Sequence, residues 1–403
     1  MMKLNILTGL VALAMSSGAA AAGHIDARSA GMAGVGIASG DYTRANLNPA
    51  LLTRFQDNDD FYVKLAAGVH ARDYQDAIDH VDDVQKQLDD FQHLVNNSIA
   101  RQQFNQTELE NAADNLTRSL KKLDDIKLNG DAGLDLAFYL PSNTLAAGLS
   151  IGTQIWANGN FEYDPNDEHL IENALATGQF NQNAIKSDGL VRSVAVTEIA
   201  LSLATKLSIP VIGHLALGVT PKAQRMDSYA YIATMSNYEN DDFFEDRYMS
   251  NETAFNLDIG LHGEVGPVQL GLVARNLIEH EIVNVAGEHL SLKPTVTAGA
   301  SVQWLGMTLA ADVDLIEDKS FVLENTKEIF MLPRQWARIG AEVDIFEQAQ
   351  LRAGFKTDMT GNYENLFTVG LGLSPFDLLT LDLAGQFGRN DERGAALQLG
   401  FKF

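Results

Sequence analysis

A Gly-x-Ser-x-Gly pattern at residues 148–152, "GLSIG", has the spacing of a hydrolase nucleophile. Such a serine reacts only from a sharp strand-to-helix turn that lifts its hydroxyl beside a base and backbone donors. Here Ser150 stands inside the run "TLAAGLSIGTQIWA", in phase with Gly148 and Gly152, and reads as a mid-strand residue. The nine histidines are scattered without metal-ligand spacing, and the absence of cysteine removes thiol nucleophiles, cysteine zinc sites and redox motifs. Acidic runs "DNDD" (57–60), "DPNDE" (164–168) and "ENDDFFED" (239–246) offer carboxylates to a hard cation. None has the full spacing of a calcium loop, so they read as solvated loops. The expectation is no catalytic residue, no metal, no cofactor and no enzyme.

The chain has 403 residues, with 53 acidic against 29 basic side chains and a net charge of −24. Phosphate repels such a surface, so nucleic acid is not expected as a partner. Hydrophobic content of 46% is ordinary, but strands that are apolar on one face only give the same average.

The elements that carry the polar residues alternate in steps of two. "GDAGLDLAFYL" sets Ala132, Leu134, Leu136, Phe138 and Leu140 against Asp131, Gly133, Asp135, Ala137 and Tyr139. "AFNLDIGLHG" sets Phe255, Leu257, Ile259 and Leu261 against Asn256, Asp258, Gly260 and His262. "WARIGAEVDI" sets Ala337, Ile339, Ala341, Val343 and Ile345 against Trp336, Arg338, Gly340, Glu342 and Asp344, and "LTLDLAGQFG" repeats the scheme. One face of each run meets an apolar medium and the other a polar one. About fourteen such runs occur, near 60–71, 129–141, 143–157, 189–209, 211–227, 253–264, 266–278, 292–305, 306–316, 335–346, 349–358, 364–374, 377–388 and 394–403. Most have the ~9–11 residues that a tilted strand needs to cross a bilayer. Short turns at 141–143, 210–213, 264–268, 305–307, 346–349 and 374–377 alternate with longer links at 158–188, 228–252, 279–291 and 317–334 and with shorter ones near 359–363 and 389–393. Short turns at one rim and long loops at the other indicate an all-β chain closed into a transmembrane antiparallel barrel, both chain ends on the short-turn side.

The polar face carries Asp258, His262, Arg275, Arg338, Glu342 and Asp344, which would point into the lumen. Charges there need partners, whether they hold something inside the barrel or line a passage. Tyr139, Trp156, Trp304 and Phe387 fall near strand ends or on barrel faces, where interface belts place aromatics.

Residues 73–127 change to a helical period. Ala77, Val81, Val84, Leu88, Phe91 and Val95 recur at steps of four and three, and after a polar break Leu109, Ala113, Leu116, Leu120 and Leu123 do the same. This is the seam of a two-helix antiparallel hairpin. Inserted in the first long loop, it is expected over the outer mouth as a lid, or else as a docking arm.

At the start of the chain, Lys3, the apolar "LNILTGLVALAM" and small residues through Ala20 and Ala22 read as a signal peptide over 1–22, cleaved before Gly23. At the other end, "GAALQLGFKF" alternates to its last residue, Phe403. A closed barrel pairs its last strand with its first, and a terminal phenylalanine resembles the signal read by the outer-membrane barrel assembly machinery. Export to the outer membrane of a Gram-negative-type cell is expected, with its lipid as a partner.

Residues 27–53, "ARSAGMAGVGIASGDYTRANLNPALLT", combine a small-residue run containing Gly31, Gly34 and Gly36 with Asn48, Pro49, Ala50 and Leu51. This resembles the N-terminal signature of the FadL-like superfamily of outer-membrane proteins. "GLVARNL" (271–277), "LKPTVTAGASV" (292–302) and "LRAGFKTD" (351–358) resemble its strands. The likeness is greatest to the branch of conjugal-transfer TraF-like barrels, which is not the thioredoxin-like protein of that name. It implies fourteen strands around an N-terminal hatch, here 23–58, with the barrel over 59–403. It also implies passive uptake of a small hydrophobic ligand through a hatch-gated barrel. The alternative is a non-transporting barrel that serves an envelope protein complex for conjugation or secretion.

Overall fold

The computed structural model describes residues 25–56, 59–73, 77–101, 106–124, 127–209, 213–234, 245–323, 329–345, 348–389 and 392–403. The expected signal peptide, Asp57, Asn58 and residues 239–244 of the acidic runs lie outside them, as do the side chains of Ala77 and Val81.

Fourteen antiparallel strands form one closed barrel. In chain order they are β1 (Tyr62–Asp73), β2 (Lys127–Leu140), β3 (Ala146–Glu162), β4 (Asp188–Ile209), β5 (Gly213–Ala233), β6 (Met249–Val265), β7 (Val268–Arg275), β10 (Thr295–Trp304), β11 (Met307–Asp314), β12 (Trp336–Ile345), β13 (Ala349–Asp358), β14 (Leu366–Leu373), β15 (Leu379–Phe387) and β16 (Arg393–Lys402). Each overlaps one expected run. Two short strands, β8 (His280–Val283) and β9 (His289–Leu292), pair with each other in a separate two-stranded sheet, so the link at 279–291 is a hairpin rather than a plain loop.

The barrel closes where β1 meets β16, from Tyr62 opposite Lys402 to Ala71 opposite Arg393. Phe403 extends this seam: its N–H donates to the Phe61 carbonyl, and its own carbonyl accepts from Asp60 and Phe61. The Phe61 and Phe403 rings stack with centroids 4.8 Å apart. The alternation decides the two faces. Leu134, Leu136, Phe138, Leu397, Leu399 and Phe401 are exposed on the outside, whereas Asp135, Ala137, Tyr139 and Gln398 are buried inside. An exposed apolar belt around a polar-filled interior is the surface of a lipid-embedded barrel. Trp304 and Phe387 belong to the exposed face, but Tyr139 and Trp156 are buried in the lumen. The turn between β10 and β11 is two residues, Leu305 and Gly306, both at positive φ (49° and 74°), the geometry that suits the twist of a tight hairpin.

The helical segment forms α1 (Ala77–Arg101) and α2 (Gln106–Leu123), joined along Val84, Leu88, Phe91, Val95, Leu109, Leu116 and Leu120. Its partner is a helix within the link at 158–188, α3 (Asn166–Thr177), which contributes Ile171 and Ala174 to the same core. Phe91 meets Phe180 edge-on at 4.8 Å, and Lys121 pairs with Glu168 at 2.7 Å. With only two buried apolar residues, Ile171 and Ala174, α3 has too faint an apolar stripe to be read from sequence. The described contacts seat the hairpin on α3 and the outer ends of β2 and β3. Over the lumen lie Ile282, Leu290 and Leu292 of the β8–β9 region with Phe321 and Phe330, packed on Trp156, Val194, Val196 and Met226.

Candidate functional site

Residues 25–56 lie inside the barrel as a chain of tight turns. One helical turn, Ala27–Ala30, is capped by Asp26, whose carboxylate accepts from the Ser29 N–H at 2.8 Å. A second, Pro49–Thr53, follows Asn48, whose side-chain oxygen accepts from Ala50 at 3.1 Å. Asn48 is the pivot of the motif. Its amide also donates to the Ile37 carbonyl at 2.8 Å and to the Leu261 carbonyl of β6 at 3.0 Å. Pro49 takes the first helical position, where its missing N–H has no partner to lose. Ala50, Leu51 and Leu52 are fully buried; Leu52 and Phe55 pack with Tyr42, Tyr62 and Tyr139.

The small residues are explained by proximity. A Cβ on Gly31 would lie 2.9 Å from the Gly370 backbone of β14. Gly34 has φ +91°, a conformation that suits glycine, and the Arg338 side chain crosses it. Gly36 leaves the space that Leu47 and the Arg44 guanidinium fill. The wall answers in kind: Gly218 and Gly260 face the Asn48–Ala50 turn, Gly271 and Gly299 face Ile37, and Gly340 and Gly354 face Met32. These wall glycines sit on the polar side of their strands, and their recurrence there was the sequence signal of an occupied lumen. Glycine weakens a strand interior and marks close approach of another backbone.

Five of the six expected lumen residues bear on this segment or its neighbours. Glu342 accepts from Arg28 of the segment at 2.5 Å and from Arg352 of β13 at 2.5 Å, and Arg352 continues to Asp382 at 2.6 Å. His262 donates from Nε2 to the Ala38 carbonyl at 3.2 Å. Arg275 donates to the Leu47 carbonyl. Arg338 holds Asp314 in a fork of 2.7 and 2.9 Å. Asp258 binds Lys222 at 3.0 Å and, with Pro49, lines a void of about 70 Å³. Asp344 does not join them: it sits at the short-turn rim, its N–H donating to the Gly306 carbonyl at 2.8 Å. The sequence reading missed Lys64, which lies 3.1 Å from Asp135 and 3.8 Å from Asp26. It also missed Asp312, which accepts from the N–H groups of Gly36 and Ile37 at 2.7 and 3.1 Å, and Thr368, which binds Ala33 and Gly31. A lone lysine or threonine on a strand's polar face does not announce its partner. Ser150 lies mid-β3 between Ala137 and Ala200, away from any strand-to-helix turn.

The segment separates two chambers. Toward the long loops, a cavity of about 280 Å³ is floored by Ile25, Ala33, Ile37 and Leu47. Its walls mix Trp156, Trp336 and Tyr363 with charged groups, so the cavity that reaches the segment is amphipathic and not apolar throughout. Toward the short turns, a wider chamber of about 820 Å³ is bounded by Arg28, Asp41, Arg54, Phe55, His214 and Glu264.

Comparison with known proteins follows this geometry. The Pseudomonas putida toluene transporter TodX is 12% identical, with TM-score 0.52, covering 95% of this chain and 99% of that one. The Ralstonia pickettii toluene transporter TbuX is 12% identical at TM-score 0.53, covering 95% and 98%. A Pseudomonas aeruginosa FadL homologue is 11% identical at TM-score 0.52, covering 96% and 99%. These likenesses show a FadL-like barrel fold. No match is found among curated proteins. Residues 45–314, more than half of the sequence, match the family described as "F plasmid transfer operon, TraF, protein". The chain therefore has a FadL-like barrel fold and belongs to that TraF family.

Proposed function

We propose that the protein is a hatch-gated outer-membrane channel for passive uptake of small hydrophobic molecules. The observation that carries this reading is the partition: one folded segment, 25–56, forms the floor of the outer cavity and a wall of the inner chamber. A solute that enters from the long-loop side reaches the inner chamber when that segment shifts. The proteins of like fold described as toluene transporters support the solute class. The bonds from Asn48, Arg28 and Ala33 to the wall hold the shut state.

The absence of native cysteine permits a direct test. In the Ala33→Cys/Thr368→Cys variant, oxidation ties the hatch to β14. Cells carrying it should take up labelled toluene at wild-type rate when reduced and at the rate of cells lacking the protein when oxidised. Equal uptake in both states would remove the hatch from the path.

A second reading, a component of an envelope complex, is favoured by the family match and by the inserted α1–α2 hairpin. Deleting residues 77–123 should then abolish co-purification of envelope proteins and leave toluene uptake unchanged. Retained co-purification argues against it.

A further inference from the structure

The outer cavity collects ten fully ionising side chains, and nearly all are spoken for. Arg72 binds Glu392 at 2.5 Å, Arg334 grips Asp318, Arg338 grips Asp314, and Arg275 reaches the Leu47 carbonyl. Asp131 is held by His70 at 3.2 Å, and Asp312 caps two hatch N–H groups. Lys356 of β13 differs. Its ammonium lines the same cavity and, among the described residues, meets no carboxylate within ion-pair distance and no hydrogen-bond acceptor. It lies over the Trp336 ring, 4.7 Å from Nζ to the centroid. A half-enclosed cation without an anion forgoes the charge-assisted hydrogen bonds that its neighbours make. The cavity's carboxylates, Asp131 and Glu392 among them, are engaged by other groups, and among the described residues none comes within ion-pair distance of this ammonium.

Beside this ammonium the walls are flat and apolar. Trp336 and Tyr363 stand 5.9 Å apart, centroid to centroid, and the Arg72 guanidinium lies 4.9 Å over the Tyr363 ring. Ring faces accept a second flat group by offset stacking, and a lone ammonium accepts a carboxylate. The cavity, about 280 Å³, suits a small guest. We propose that the outer cavity holds a binding subsite for a small monocarboxylate with a flat apolar body, its carboxylate on Lys356 and its body against Trp336 and Tyr363. This deepens the uptake reading and rests on it for its biological sense: a neutral hydrocarbon leaves Lys356 unanswered, whereas an aromatic acid satisfies both halves of the wall.

The test uses the whole barrel purified in an uncharged detergent, with benzoate and its neutral analogue benzyl alcohol as probes and calorimetry as the readout. Benzoate should bind saturably and more weakly as salt rises. Lys356→Met should lower its affinity about tenfold or more while benzyl alcohol binds as before, and Lys356→Arg should restore benzoate binding. A heat-dependent shift in gel mobility confirms that each variant is folded. Benzoate binding that fails to saturate, or that Lys356→Met leaves unchanged, overturns the subsite. If benzyl alcohol still binds and toluene uptake persists in that case, the uptake reading stands and the anion subsite alone is wrong. If neither probe binds and uptake is absent, both fall.

Discussion

The side-chain amide of Asn48 donates to the carbonyl of Leu261 at 3.0 Å, joining the lumen segment to strand β6 across 213 residues of sequence. The same amide holds Ile37, and its oxygen caps the following turn. Asn48→Ala removes all three bonds and leaves buried carbonyls unpaired. The segment should lose about 2 kcal/mol of docking stability or more. Hydrogen exchange over residues 36–54 should accelerate, and ion conductance across a planar bilayer should rise. Exchange as slow as in the wild type would show that Asn48 is dispensable.

Gly218 of β5 faces the backbone of Pro49 and Ala50 so closely that an added Cβ collides with it. Backbone there cannot step aside as a flexible side chain can. Gly218→Val should displace the 48–53 turn, so that a protease added from the short-turn side nicks the segment in the folded barrel. Gly159→Ala is the control. A Cβ there meets Leu128 at 3.8 Å, an ordinary contact, and the variant should resist the protease as the wild type does.

Phe91 is fully buried between α1, α2 and the 163–185 region, with Phe180 edge-on to it. Phe91→Ala should destabilise the helical arm by about 3–5 kcal/mol. The helical circular-dichroism signal should melt at lower temperature, while the barrel's gel mobility is unchanged. Loss of both together would mean that arm and barrel form one cooperative unit.

In the long link between β11 and β12, Asp318 accepts two bonds from Arg334, the nearer at 2.6 Å. Burial alone would raise its carboxyl, but Arg334 and the bonds to Ser320 hold it below the usual carboxylate range. A depressed folded value stabilises the ionised state, so this contribution is present above the unfolded value of about 3.9 and is lost as pH falls through the folded one. Phe321, three residues on, packs on Trp156 at 5.1 Å. In a Trp304→Phe/Trp336→Phe background, which leaves Trp156 as the sole tryptophan, its emission should stay constant from neutral pH to about pH 5 and shift red below about pH 4 as the link lifts. Asp318→Asn should show the red-shifted emission at neutral pH and lose the acid transition. A transition unchanged in that variant would assign it to another group.

Wall and arm were readable, and the long links were not. Period-two alternation placed fourteen strands because every spanning strand must separate lipid from lumen residue by residue, and a slip of one position would turn Leu136 inward and Asp135 into the membrane. The helical seam from Val84 to Leu120 was equally plain. The hairpin β8–β9 and helix α3 were not. Both are short, and their apolar residues, such as Ile282, Leu290 and Ile171, find their partners in distant loops. Trp156 shows the same limit: an aromatic near a strand end suits an interface belt or a capped lumen, and its facing direction depends on what the long loops bring over it.

By itself, then, the amino-acid order determined a closed all-antiparallel wall, its inside and outside, and a small-residue segment suited to a crowded interior. Those properties follow from local alternation and from the size of side chains. Only the tertiary structure decided which wall group meets which hatch group, that Asp344 stays at the rim while Glu342 ties Arg28 to Arg352, and that Lys356 lies over Trp336 with no carboxylate among the described residues within ion-pair distance. Such pairings depend on barrel closure, which sets strands distant in sequence face to face across one lumen, and no local pattern encodes that distance.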